Sequence, residues 1–416
     1  MNLFKTSLLT FISTVIKVIS GIVINKAVAV YVGSSGLAII GQFRNFVQIS
    51  NTVASGAINQ GVVKYSAQSK RDTKQLSLLF STSLKISLMC SLITGILIIG
   101  TSKFLSFYFL KSEDYTYVFI VFGFTVILFV LNNLILSILN GLKEISAFII
   151  INIIQSIYSL IFTTLFVVFF GLHGALIALA TNQSIIFFVV IWKLRNHHLI
   201  TIKNFRSSFD RGLFKKLLGY TAMALTSAAV VPISQIIIRN NIGNSLGWEQ
   251  AGYWQAIWQI STMYLMVITT ALRIYYLPKL AETFSKKDIK NEILYGYLTV
   301  IPIVIGMALV IFFLKDFIVV ALFSSEFSPM KELFGWQLSG DVIKMMCFLL
   351  GNLLQAKAMI KAFIVKEVII SATFVIFAHI FIIKIGLVGV TQAYFFTYFI
   401  NFLWLLIIFR MYIKRV

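Results

Sequence analysis

Cysteine is almost missing from this chain. Cys90 and Cys347 are the only two, each inside an apolar run, which excludes a disulfide framework and any thiolate spacing for a metal. Histidine is nearly as rare, with four residues. His197 and His198 have no metal-ligand neighbours in sequence, and a lone His379 in an apolar run reads as a neutral, hydrogen-bonded group. No Gly-x-x-x-x-Gly-Lys-Ser/Thr loop occurs, so nucleotide hydrolysis by that route is excluded. Acidic side chains are scarce, 14 against 35 lysines and arginines, for a formal net charge of +21. Long polar stretches are missing too, so there is no soluble domain to carry that charge as a nucleic-acid footprint. What remains is apolar: 59% of the 416 residues are hydrophobic and only 12% are charged, where soluble domains carry about a quarter charged. A mean hydropathy of +0.93 places most of the chain in lipid.

A membrane span takes about 20 mostly apolar residues. Twelve such runs are predicted, roughly 7–31, 37–67, 76–101, 115–139, 146–170, 173–192, 214–239, 248–278, 293–314, 332–355, 362–383 and 387–409. The first is too long for a signal-peptide core and lacks a small-residue cleavage site, so it reads as a retained span. Most loop lysines and arginines gather at the two termini and near residues 70, 143, 203, 286 and 357, whereas the opposite set holds Lys103, Lys111, Arg239, Lys315, Lys331 and Lys384. The positive-inside rule then predicts both termini in the cytoplasm. The longest cytoplasmic loop, 193–213, is basic and reads as a linker touching anionic headgroups. It separates a six-span half at 1–192 from another at 214–416.

The halves repeat. Gly41–Ser50 resembles Gly252–Ser261 at an offset of 211, and Ala147-Phe148-Ile149 matches Ala362-Phe363-Ile364 at 215. Gly171-Leu172-His173-Gly174 matches Gly386-Leu387-Val388-Gly389, also at 215. Each half has an even number of spans, so the halves share one orientation. The fold predicted is an all-α integral membrane protein of two parallel-repeat six-helix bundles, the layout of alternating-access carriers.

Eight basic residues fall inside the predicted spans: Lys17, Lys26, Arg44, Lys64, Lys85, Arg273, Lys344 and Lys366, with only Asp341 and Glu367 of opposite sign. A cation at the centre of the bilayer costs about 2.5–3.5 kcal/mol on insertion scales, so it snorkels, pairs, or lines a wet cavity. Lys26, Lys64, Arg273 and Lys366 lie near span ends, where snorkelling explains them. Lys17, Arg44 and Lys85 are deeper and have no acidic neighbour at helical spacing. They are expected to face a hydrated cavity between the halves and to hold an anionic cargo, phosphate or pyrophosphate being the best match to an arginine fork and lysine point charges. Asp341 and Lys344 are three residues apart on one helix face and are expected to pair. That pair either packs the tenth span or rearranges during transport, coupled to protons or to sodium.

Trp254 and Trp258, four apart on one face, either pack helices or stack sugar rings, with Gln42 as a further polar contact. The short outward loops near 101–114 and 315–331 leave little room for a glycan-processing active site. A drug or cation antiporter would need acidic rather than basic groups inside.

Taken together, Ser13-Thr14-Val15-Ile16-Lys17, Phe43-Arg44, Val63-Lys64-Tyr65, Trp336-Gln337-Leu338, Gly340-Asp341-Val342 with Lys344, and Gln355-Ala356-Lys357-Ala358 resemble the Wzx flippases of bacterial polysaccharide synthesis. The resemblance implies a fold like that of the multidrug/oligosaccharidyl-lipid/polysaccharide exporters, with two six-helix bundles in a V. It implies an undecaprenyl-pyrophosphate-linked oligosaccharide as cargo, either an O-antigen repeat unit or lipid III of enterobacterial common antigen. A cationic cavity formed by Lys17, Arg44 and Lys85, with Lys26 and Lys64 nearby, is where such a cargo would bind. The polymerase and chain-length regulator of the same pathway are candidate partners. No resident cofactor is implied.

Overall fold

The computed structural model describes residues 3–70, 72–195, 200–283, 285–357 and 359–415, with side chains from residue 9 onward except at 220, 222, 223, 227, 273–275, 277, 278, 281 and 415. His197, His198 and the Arg273 side chain fall outside the described residues. Among the described residues the chain is built of helices: α1 (Leu3–Tyr31), α2 (Gly33–Ala54), α3 (Asn59–Gln68), α4 (Thr73–Gly100), α5 (Ser102–Leu105), α6 (Thr116–Gly141), α7 (Ile145–Leu194), α8 (Arg211–Leu246), α9 (Trp248–Glu282), α10 (Lys286–Phe313), α11 (Lys315–Leu322), α12 (Phe334–Ala356), α13 (Ile360–Ile385) and α14 (Leu387–Arg415). Eight of these segments are long and apolar enough to cross a membrane, nine with the bent α8 counted, fewer than the twelve runs predicted. Part of the difference is α7, one run of 50 residues long enough for two spans. The rest lies in α2 and α9. Gln42, Arg44, Asn45, Gln48 and Asn51 on α2, and Gln250, Gln255 and Gln259 on α9, make both too polar to be sheathed in lipid. Elsewhere large apolar side chains such as Phe124, Phe169 and Phe313 stand exposed, the surface expected against acyl chains.

The chain separates into two units, one of Met1–Val32 with Ile39–Pro232, the other of Gly33–Ala38 with Ile233–Val416. The boundary falls inside α8 and not at the 193–213 linker. The reason is that the linker belongs to the first unit. Ser77 Oγ donates to Asn204 Oδ1 at 3.0 Å, the Asp210 amide donates to Thr82 Oγ1 at 3.0 Å, and Phe80 stacks on Phe205 at 5.4 Å. Asp210 then starts α8 by accepting from the Leu213 amide at 2.8 Å, an N-cap satisfying one orphan donor. In the second unit the first turn of α2 is held by Glu326, whose carboxylate accepts from the Ser34 hydroxyl at 2.9 Å and the Ser34 amide at 3.4 Å. Gly252 of α9 lies so close to Ser34 that a Cβ there would sit 2.0 Å from its carbonyl oxygen.

The internal repeat is written into the backbone. Gly171 (φ 54°, ψ −130°) and Gly386 (φ 80°, ψ −148°) take nearly the same left-handed conformation, which side chains with a Cβ resist. Three residues on, a Cβ on Gly174 would collide with the Phe166 carbonyl, and one on Gly389 with the Phe381 carbonyl; both pairs are 215 apart. The Glu144 amide donates to Leu139 O at 3.0 Å, and the Met359 amide donates to Leu354 O at 2.8 Å, again 215 apart. Chance matches between apolar runs would not reproduce a turn, a close approach and a cap.

The predicted second span, 37–67, is not one helix. Ala57 N donates to Thr52 O and Gly56 N to Val53 O, with Gly56 at φ 66° and Ala57 at φ 53°. These bonds close the helix end in a Schellman arrangement. Lys64 therefore stands on the separate ten-residue α3 and not at the end of a continuous span.

Candidate functional site

The first unit carries the expected cations, but they differ in what they do. On α2, Phe43 meets Phe119 edge-on at 5.4 Å and Phe46 meets Phe119 at 5.1 Å. These contacts fix the rotation of α2 and bury Gln42, Phe43, Asn45 and Phe46. The face left over presents Arg44, exposed, followed at successive i+4 steps by Gln48 and Thr52, a polar stripe along one side of the helix. Lys17 on α1 is also exposed. Among the described residues neither Lys17 nor Arg44 has an acidic group within ion-pair distance. Lys85 is different. Its ammonium donates to Ser207 O at 3.0 Å, tying α4 to the linker. Nine residues into a predicted span, it was expected to face a hydrated cavity; it is instead bonded to the linker. Lys64 is exposed with its ammonium 5.7 Å from the Tyr65 ring, and Lys26 is half-buried.

The second unit buries a carboxyl. Asp341 on α12 has no exposed surface and accepts from Tyr264 OH at Oδ2, 2.9 Å, and from Tyr394 OH at Oδ1, 2.8 Å. Gln337 Nε2, one turn earlier, donates to Ser261 Oγ at 3.0 Å beside it. Gly340 makes room, since a Cβ there would stand 2.4 Å from the Tyr394 ring. The predicted Asp341–Lys344 ion pair is not formed: the described ion pairs are Lys103–Glu113, Lys331–Asp316 and Lys366–Glu367. Both carboxyl oxygens are taken by phenols, and the Lys344 ammonium lies over aromatic faces, 5.3 Å from Trp258 and 5.8 Å from Tyr394 and Tyr398. Ring quadrupoles attract a cation there without removing it from its helix face. Lys366 does not snorkel; it forms the ion pair that its neighbour Glu367 offers in sequence, at 2.8 Å, with both side chains largely buried, 11% and 18% exposed.

Two candidate sugar contacts are closed off. Gln42 and Trp254 have no exposed surface, and Trp258, half-buried, packs on Trp254, Phe374 and Tyr394 at 5.5–6.3 Å. The i, i+4 tryptophan face turns into the second unit's own packing. Arg239 was missed by the sequence reading, which left it in an outward loop. It lies inside α8, 1% exposed, donates to Gln255, and sits 5.5 Å from the Trp254 ring. The available signal was Gln255 on the next helix, a partner suited to a buried guanidinium.

The sequence profile described as "Polysaccharide biosynthesis protein" matches residues 3–284. The chain is 29% identical over 402 residues to the lipid III flippases of Escherichia coli (strain K12) and Shigella flexneri, covering 97% of this chain and 97% of each relative. Its fold is similar to the inward-facing conformation of a multidrug resistance MATE family transporter of the MOP superfamily. The TM-score is 0.79 at 16% identity, over 96% of this chain and 95% of that one.

Proposed function

The chain belongs to the polysaccharide biosynthesis protein family, and we propose that it is a transporter, a flippase carrying a lipid-linked oligosaccharide across the bacterial inner membrane from the cytoplasmic to the periplasmic leaflet. The observation that carries the reading is the pair of exposed, unneutralised cations Lys17 and Arg44 on an otherwise lipid-clad unit. The invariant part of such a cargo is its diphosphate, the group an arginine fork recognises. The likeness to lipid III flippases over almost the whole length supports the same cargo class. The carrier lipid is undecaprenol, and the glycan is lipid III or an O-antigen unit. A cation antiporter would need exposed acids where this unit presents bases. Asp341 acts as the coupling group: its carboxyl, held by two phenols, takes up a proton and in another state turns to Lys344 three residues on.

Expression in a strain lacking the lipid III flippase, and separately in one lacking an O-antigen flippase, is expected to restore surface glycan in one of the two. Failure in both, with raised drug tolerance instead, would support the antiporter.

Both termini and the 193–213 linker face the cytoplasm in this reading. With Cys90 and Cys347 replaced, a single cysteine introduced in the 101–114 loop is expected to react with an impermeant maleimide from outside, and one in the linker is not. Labelling of the linker from outside would reverse the topology.

A further inference from the structure

The break between α2 and α3 leaves an open pocket of about 330 Å³ whose polar lining is Asn51, Thr52, Ser55, Asn59, Gln60 and Asn133. Among the described residues no charged side chain lines it. Ala224 and Ala228, one turn apart on α8, form the opposite wall, and Thr221 Oγ1 donates to Gly56 O at 3.2 Å, holding α8 against the break. The cavity exists because the Schellman ending turns the chain at Gly56 and Ala57 and because α8 offers methyl groups where larger side chains would fill the space.

Its chemistry is specific. Carboxamides present both donors and acceptors, and hydroxyls present either, so the lining matches a neutral polyhydroxyl or acetamido ring. The volume lies at the lower end of the range for ligand pockets, about 300–1,000 Å³, the scale of one sugar and not of a whole lipid-linked glycan. The stripe of Arg44, Gln48 and Thr52 leads into it. Eight residues of helix separate Arg44 from Thr52, about 12 Å at 1.5 Å per residue, a separation that the reach of an arginine side chain and a diphosphate can bridge.

We propose that this cavity is the subsite for the sugar attached nearest the diphosphate, an N-acetylated or otherwise neutral hexose, while Arg44 holds the diphosphate. The proposal rests on the flippase reading. It places glycan contact on amides of the first unit, where the sequence reading had placed it on Gln42, Trp254 and Trp258.

The test uses the full-length protein in detergent and two probes, undecaprenyl diphosphate and undecaprenyl diphosphate bearing one N-acetylglucosamine. Dissociation constants are measured by thermophoresis. The wild type is expected to bind the glycosylated probe about tenfold more tightly. Asn133→Leu removes an amide and Ala228→Phe fills the space from another helix; each is expected to erase that preference while leaving affinity for the bare diphosphate unchanged. Variants that keep the full preference, or a wild type without one, would overturn the subsite and leave the flippase reading standing. A variant that weakens both probes equally also overturns it, because the cavity would then support the fold and not the sugar. If the wild type binds neither probe, the flippase reading itself fails and the subsite with it.

Discussion

Arg44→Ala is expected to slow glycan export by roughly ten- to a hundredfold, the equivalent of a lost hydrogen-bonded charge contact of about 1.5–3 kcal/mol. Lys17→Ala is expected to fall in the same range, and the double variant to leave no detectable surface glycan. Both residues are exposed in the first unit, so neither substitution opens a hole in the packing, and protein level by immunoblot should match wild type. Arg44→Lys keeps the charge but loses the planar fork and is expected to fall between. Lys85→Ala should be milder, since its ammonium is committed to the Ser207 carbonyl. The assay is complementation of a flippase-deficient strain, read as surface glycan per unit of protein. Arg44→Ala and Lys17→Ala complementing like wild type would remove the cationic site.

Asp341→Asn is the second large effect. The carboxyl accepts from Tyr264 and Tyr394 at separate oxygens. An amide keeps one acceptor and turns a donor toward the other phenol, leaving a buried group unsatisfied at about 1–3 kcal/mol. Transport is expected to drop at least tenfold, with folded protein still recoverable. Lys344→Met should do less, because a cation over aromatic faces contributes about 0.5–2 kcal/mol and methionine fills the same space. Full glycan assembly by Asp341→Asn at normal protein level would end the charge role proposed for it.

Helical spacing put Asp341 and Lys344 on one face, and they are. Spacing carries no information about which neighbour wins, and the winners are tyrosines 77 and 53 residues away. Arg239 escaped notice because the apolar run ends there while α8 continues to Leu246; an end of hydropathy is not an end of helix. The break after Ala54 was hidden for the opposite reason. Ser55-Gly56-Ala57-Ile58 is small and apolar enough to read as continuous span, with one glycine as the only warning. The repeat was legible because its markers, Gly171 and Gly386, sit where the backbone conformation demands glycine. The amides around the α2–α3 break were not legible as a site, since Asn51 and Asn133 meet only in three dimensions.

The grip of Glu326 on Ser34 bears on how the protein is made. Domains complete in order of synthesis, at about 5–20 residues per second, and residues 39–232 hold the linker contacts of the first unit within themselves. The opening turn of α2 does not. Its Ser34 amide and hydroxyl reach the Glu326 carboxylate only when that residue has left the ribosome, and its close neighbour Gly252 also comes later. From Pro232 to Glu326, about 5–20 s at that rate of synthesis, the helix stands without this contact in a half that is otherwise finished. Any nascent chain stopped short of residue 326 leaves that turn without its carboxylate.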